Sequence, residues 1–196
     1  MIALPDRPGF ADPVAQAQQA FRAILEAMSR PGRIVEAGAT LDPPPPLPRA
    51  AAAALLTLAD GDTKLWLDPA FAAAHAWVRF HTGAPPARGA EEADFVLAAD
   101  WPDLATLRTG TDEAPEAGAT LILSVAALGE GMPYRLSGPG LAAPTAFAVR
   151  GLPEDFPARW AANRASFPCG IDLILCAGAL LAALPRGIAM EAGPCT

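Results

Sequence analysis

The stretch KLWLDPAFAAAHAWVRFHTG, Lys64 to Gly83, decides the fold class. Lys64 to Leu67 is a short apolar run that reads as a strand. Asp68-Pro69 then supplies a helix N-cap and a proline at the first helical position. The spacing predicts a helix over Phe71 to His81, and Gly83 falls where a left-handed C-cap closes one. A second apolar run, Asp94 to Ala98, follows after a short connection. Strand, helix and strand in this order form the unit from which parallel sheets are built.

Toward the amino terminus the same signals recur. Asp12-Pro13 opens a helix in which Val14, Ala17, Phe21, Ile24, Leu25 and Met28 repeat at helical spacing, and Ser29-Arg30-Pro31-Gly32 ends it. Arg33 to Ala37 reads as a short strand. The run Pro43 to Pro46 is a rigid, extended loop. Pro48 to Ala59 is an alanine- and leucine-rich helix, stopped by Asp60-Gly61-Asp62.

Toward the carboxyl terminus the rhythm changes. Pro102 to Arg108 is read as a short helix. Thr120 to Val125, Tyr134 to Ser137 and Ala146 to Arg150 succeed one another through Gly/Pro turns with no room for helices, so antiparallel pairing is expected. Pro153 to Ser166 is a helix with Glu154 and Asp155 near its N-terminal dipole. Ile171 to Leu175 and Leu180 to Leu184 read as two buried strands, with a helix over Ala177 to Leu184 as the alternative. The apolar segment Ile171 to Leu184 is longer than one strand needs, so part of it could serve an interface. These elements make one α/β domain over residues 1–196 with a mixed sheet, and no internal repeat interrupts it.

Composition narrows the function classes. The 196 residues are 52% hydrophobic and 18% charged, which suits a globular chain. A net charge of -7 opposes a nucleic-acid binder, which would carry a basic face. Alanine is abundant, and this bias carries no mechanistic weight in the sequence. The residues from Met1 to Phe10 lack the apolar core of a secretory signal. The apolar run Leu173 to Leu184 is far short of the roughly 20 residues that a membrane span needs, so a cytoplasmic chain without membrane partners is expected. Cys169, Cys176 and Cys195 are odd in number and lack paired spacing, which points to free thiols.

Candidate chemistry is sparse. His75 and His81 are six residues apart on one predicted helix, whereas metal ligands on one face want a spacing of three or four. No metal site is expected. His75 is read as a core histidine. Arg79, His81 and Thr82 gather at the helix end, where they could hold an anionic oxygen or simply complement the helix dipole. Arg135, on a strand before the turn Ser137-Gly138-Pro139-Gly140, is expected beside them if an anion site exists. That turn matches neither phosphate-binding loop, and Pro139 lacks an amide donor. No nucleophile elbow is present, and Glu113 and Glu116 read as solvated loop residues. Lys64, the only lysine, lies beside a turn and does not suggest a Schiff-base amine, so no cofactor is expected.

Several segments, in order, resemble one family. Ala17 to Arg22 with Met28 to Gly32, Leu56 to Asp60, Asp62-Thr63 and Trp66-Leu67 come first. Arg79-Phe80-His81-Thr82, Gly110-Thr111, Ala114 to Leu123, Arg135 to Gly140 and Phe167-Pro168-Cys169-Gly170-Ile171-Asp172 follow. Together they are similar to the PhnH family of phosphonate metabolism proteins, a component of the bacterial carbon–phosphorus lyase system. The chain departs from that pattern after Leu184-Pro185-Arg186, at Gly187-Ile188, where threonines are expected.

The resemblance implies a three-layer αβα sandwich with a mixed sheet, similar to the large domain of pyridoxal-phosphate transferases but without the cofactor. It implies a role in making α-D-ribose 1-methylphosphonate 5-triphosphate from ATP and methylphosphonate, in company with subunits G, I, J and L. Apart from the resemblance, apolar surface left over from Ile171 to Leu184 would most simply be covered in a two-fold dimer, so a homodimer is expected when the chain is isolated. Two other classes stay open on the residues: an independent transferase or hydrolase acting on a small phosphorylated metabolite, and a small-ligand binding module.

Overall fold

Strands β2 (Leu65–Leu67) and β3 (Phe95–Ala98) run parallel, with Leu65 opposite Phe95, as the strand–helix–strand reading requires. The computed structural model describes residues 7–193; Cys195 and the start of the amino-terminal segment lie outside them. The connection between the two strands is not one helix but two pieces. A 3-10 segment over Pro69–Ala74 leaves helical geometry at Phe71, and α3 (His75–Thr82) follows. The start and stop signals hold: the Asp68 carboxylate accepts from the Ala70 amide at 2.8 Å, and Gly83 takes a left-handed φ of 73°.

These strands belong to a six-stranded sheet. It also contains β1 (Val35–Glu36), β4 (Thr120–Ser124), β7 (Asp172–Ala177) and β8 (Leu180–Leu184), in the order β1-β8-β7-β4-β3-β2. The segment from β2 through β3 and β4 to β7 is parallel, while β7, β8 and β1 pair antiparallel. The expectation that Thr120 to Val125 would pair antiparallel with the strands after it is therefore wrong. Its residues are buried on both faces, the condition of an interior parallel strand. The strand reading of Leu180 to Leu184 is right, with β7 and β8 forming a hairpin across Gly178, whose φ is 58°.

Alternation along the strands splits the core in two. Leu97, Ile122, Ile174 and Ala183 face one way, packing against α1 (Pro13–Ser29), α2 (Arg49–Leu58) and the β2–β3 connection. In α2, Ala50 to Ala54 are all fully buried between α1, α3 and the sheet. The alanine run thus has a packing role: side chains of one methyl let the helix seat close to the strands.

Val96, Leu121, Leu173 and Leu184 face the other way. They meet α4 (Phe156–Ala165) and a small antiparallel sheet of β6 (Thr145–Arg150), β5 (Ala127–Ser137) and β9 (Ala189–Ala192). The far layer is thus one helix plus a three-stranded sheet, where the αβα expectation put helices alone. Strand β5 is longer than the sequence suggests because Gly129 and Gly131, at φ 85° and 106°, form a bulge that carries the pairing back to Ala127. Strand β9 has no counterpart in the sequence reading. The short helix expected over Pro102 to Arg108 is only a 3-10 turn, Leu104–Thr106.

Candidate functional site

The end of α3 is where the residues first pointed. His81 Nε2 lies 3.3 Å from the Arg7 carbonyl, and since a carbonyl only accepts, His81 must donate there. Trp77 Nε1 donates to the same oxygen at 2.9 Å, and the His81 ring packs edge-on against both Trp77 and Phe80. Gly9 lies against the His81 ring so closely that a Cβ there would sit 2.9 Å from Nδ1. His81 therefore clamps the amino-terminal segment, which Arg7 secures further through Asp42 at 2.7 Å. The hydroxyl of Thr82 donates to the Val78 carbonyl at 2.8 Å and accepts from the Ala84 amide. Both side chains are occupied by the fold.

Arg79 is exposed on the outer face of α3 and pairs with no carboxylate among the described residues. Arg135 does not join it. It projects from β5 between the inward-facing Tyr134 and Leu136, in the small sheet on the opposite side of the main sheet from α3. The reason is topological: the β5–β6 ribbon folds onto the face that the first three helices leave open. His75 is exposed and not in the core. The two-piece connection turns it outward, while Phe71, Ala74, Trp77 and Val78 face in. His75 and Arg79, one turn apart, border a cavity of about 200 Å³ between α3 and the edge strand β2.

A second, larger cleft of about 410 Å³ runs between the Trp101–Thr109 connection and α4. It exists because that connection carries a single 3-10 turn where a crossover helix would otherwise fill the layer. Arg159, held by Asp155 at 2.8 Å, and Asn163 line one wall. Asn163 is fully engaged, since its amide brackets both the N–H and the carbonyl of Ile171 at 2.9 and 3.0 Å. The indole N–H of Trp101 is buried without an acceptor among the described residues.

The glycine-rich segments meet at the amino ends of β4 and β7. The Gly170 amide donates to the Thr109 carbonyl at 2.8 Å, and Ala119 donates to Arg108 at 2.7 Å. A Cβ on Gly118 would overlap the Gly170 carbonyl oxygen. Arg186 closes the group. It clasps Asp172 through Nε at 3.2 Å and Nη2 at 2.7 Å, and donates through Nη1 to the Pro115 carbonyl at 2.6 Å. These contacts account for the Gly110-Thr111, Ala114 to Leu123 and Phe167 to Asp172 patterns as a knot of loops under the sheet.

Among the described residues, both thiols are held away from nucleophilic work near neutral pH. Burial pushes the Cys176 thiol far up. Partial desolvation, then the charge of Asp112 and its hydrogen bond at 3.7 Å, raise Cys169. Neither histidine hydrogen-bonds a hydroxyl or thiol among the described residues, and no three His, Cys, Asp or Glu side chains there are arranged to hold a metal ion. The expected result with iodoacetamide at neutral pH is that Cys176 stays unmodified until the chain unfolds, while Cys169 reacts more slowly than a free cysteine. Mass spectrometry of the alkylated peptides checks this, and rapid native labelling of Cys176 would contradict its burial. No helix of the described residues is long and apolar enough to cross a membrane.

Comparison with known proteins adds what the geometry lacks. A family model described as bacterial phosphonate metabolism protein (PhnH) matches residues 8–191. A curated protein of Rhizobium meliloti (strain 1021), alpha-D-ribose 1-methylphosphonate 5-triphosphate synthase subunit PhnH, is 41% identical over 187 residues, covering 93% of this chain and 94% of its own. The putative C-P lyase subunit protein HtxG of Stutzerimonas stutzeri is 39% identical over 175 residues, covering 86% and 83%.

Proposed function

This chain belongs to the PhnH family of bacterial phosphonate metabolism proteins, and from that premise we propose that it works as a subunit of a carbon–phosphorus lyase assembly, supporting synthesis of α-D-ribose 1-methylphosphonate 5-triphosphate. The observation that carries the proposal is the near full-length match to a relative named as a subunit of that synthase. The chemistry of the described residues agrees with a supporting role. An autonomous transferase needs a nucleophile or base held within hydrogen-bond reach of its partner group, and the histidines here serve the fold or stand at the surface.

The finer parts of the proposal are its companions and its lineage. Its partners are subunits G, I, J and L, and the isolated chain forms a homodimer in the cytoplasm. The fold is that of the large domain of pyridoxal-phosphate transferases, used without the cofactor, over one domain of 196 residues. Lys64 supports this. The only lysine stands exposed just before β2, its backbone amide donating to Asp94 at 2.7 Å, and its exposure leaves the amine without the desolvation that would activate it.

Two measurements test the reading. The isolated chain is expected to release no adenine from ATP in the presence of methylphosphonate, and a tagged chain is expected to capture subunits G and I when all are produced together. Steady adenine release by the lone chain would overturn the supporting role. A chain that stays folded yet captures neither of them would overturn membership of the assembly.

A further inference from the structure

The outward face of α3 carries two nitrogen-bearing side chains, Arg79 and His75, that form no ion pair or side-chain hydrogen bond among the described residues. Arg79, in the last turn, has one structural justification, because a cation there complements the carbonyl end of the helix dipole. His75 has none. Its ring, exposed at the start of α3, has no hydrogen-bond partner among the described residues. The two are four residues apart, which places them side by side on one face, about 5–6 Å between their Cβ atoms.

Beneath them is the cavity of about 200 Å³, walled by Leu65, Leu67, Val78 and Ala84. It arises at the sheet edge. Strand β2 pairs with β3 on one side only, and on the other Pro85 to Ala87 covers just the Leu65 end, through bonds of 3.1 and 2.9 Å. The result is an apolar floor with a guanidinium and an imidazole at its lip, on a chain whose net charge is -7.

From this juxtaposition we infer that the β2–α3 groove binds a small organic oxyanion bearing a short apolar group, with the anion at Arg79 and His75 and the carbon side on the floor. Arg79 supplies a fork of N–H donors matched to two oxygens of one anion, and His75 adds a single donor. The hydrocarbon tail gains by leaving water for Leu65, Leu67 and Val78. This inference is independent of the assembly role, because it concerns the isolated chain.

Calorimetric titration of the full chain tests it, with propylphosphonate, propionate and inorganic phosphate as separate probes. Propylphosphonate is expected to bind one per chain, several-fold tighter than inorganic phosphate because only it uses the floor. Comparison with propionate reports whether the lip prefers a phosphorus oxyanion or a carboxylate, and saturable binding of either organic anion supports the class. Arg79→Gln should weaken binding by about tenfold or more, Arg79→Lys by less, and His75→Gln by a few-fold. Circular dichroism should be unchanged in all three, since both side chains are exposed. Absence of saturable binding by either organic anion, equal affinity for inorganic phosphate, or indifference to Arg79→Gln would overturn the inference. Loss of partner capture by a folded Arg79→Gln chain would also overturn it, by making the lip a docking surface; retained capture supports a ligand site.

Discussion

Arg186→Ala is expected to cost about 2–4 kcal/mol of stability, between the range of an exposed ion pair and that of a fully buried one. The side chains of Arg186 and Asp172 are only 13% and 19% exposed, so water screens them little. Deleting the guanidinium leaves the Asp172 carboxylate with the Arg186 backbone amide, 2.8 Å away, as its remaining partner from that residue, and takes from the Pro115 carbonyl its Nη1 donor. Because Pro115 to Gly118 leads into β4 and Asp172 opens β7, the loss falls on the two parallel strands at the centre of the sheet. Urea unfolding of the parent and variant measures it. The double variant Arg186→Met with Asp172→Leu should recover a large part of the loss, since no charge is then stranded. A single-variant loss below about 1 kcal/mol, the range of an exposed pair, would show that the clasp is not closed in solution.

The second large effect is expected at Trp160. Its side chain is fully buried between the main sheet and β9, stacks parallel to Phe156 with ring centres 6.0 Å apart, and donates through Nε1 to the Ile188 carbonyl at 2.8 Å. Trp160→Ala should destabilise by about 3–5 kcal/mol, combining lost transfer energy with the cavity left behind. In a domain of this size that lowers the thermal midpoint by roughly 10 °C. Trp160→Phe keeps most of the volume but orphans the Ile188 oxygen, so an intermediate loss of about 1–3 kcal/mol is expected. Equal midpoints for the alanine variant and the parent would mean that α4 and β9 do not pack as described.

Elements with their own punctuation are legible in the sequence. Asp12-Pro13 and Asp68-Pro69 mark helix starts, and in both cases the aspartate accepts from a first-turn amide. The helix ends at Ser29 and before Gly83 and the strand Leu180 to Leu184 also stand where read. The misreadings share a cause. Gly129, Gly131 and Pro133 look like turn residues, yet β6 pairs with Leu128 before them and with Met132 and Pro133 after, so the two glycines become a bulge inside an eleven-residue strand. His75 reads as a core residue because helical periodicity alone does not register a change of helix type at Phe71. The anion corner is half legible: Arg79 stands out in the sequence, while His75 becomes its companion only once α3 is set over the edge of β2.

By itself the sequence determined that the chain is α/β, that its parallel unit runs through Lys64 to Ala98, and to which family it belongs, because caps, alternation and ordered motifs are local properties of a chain. Tertiary structure decided the rest. It set Thr120 to Ser124 between two parallel neighbours, turned the alanines of α2 into a close-packed helix face, and drew Thr109, Gly118, Gly170 and Arg186 into one knot. It also separated Arg135 from Arg79 by a whole sheet. Which face a segment packs on depends on where distant strands pair, and that pairing is settled by burying both faces of the central strands at once, a condition that no local window of residues contains.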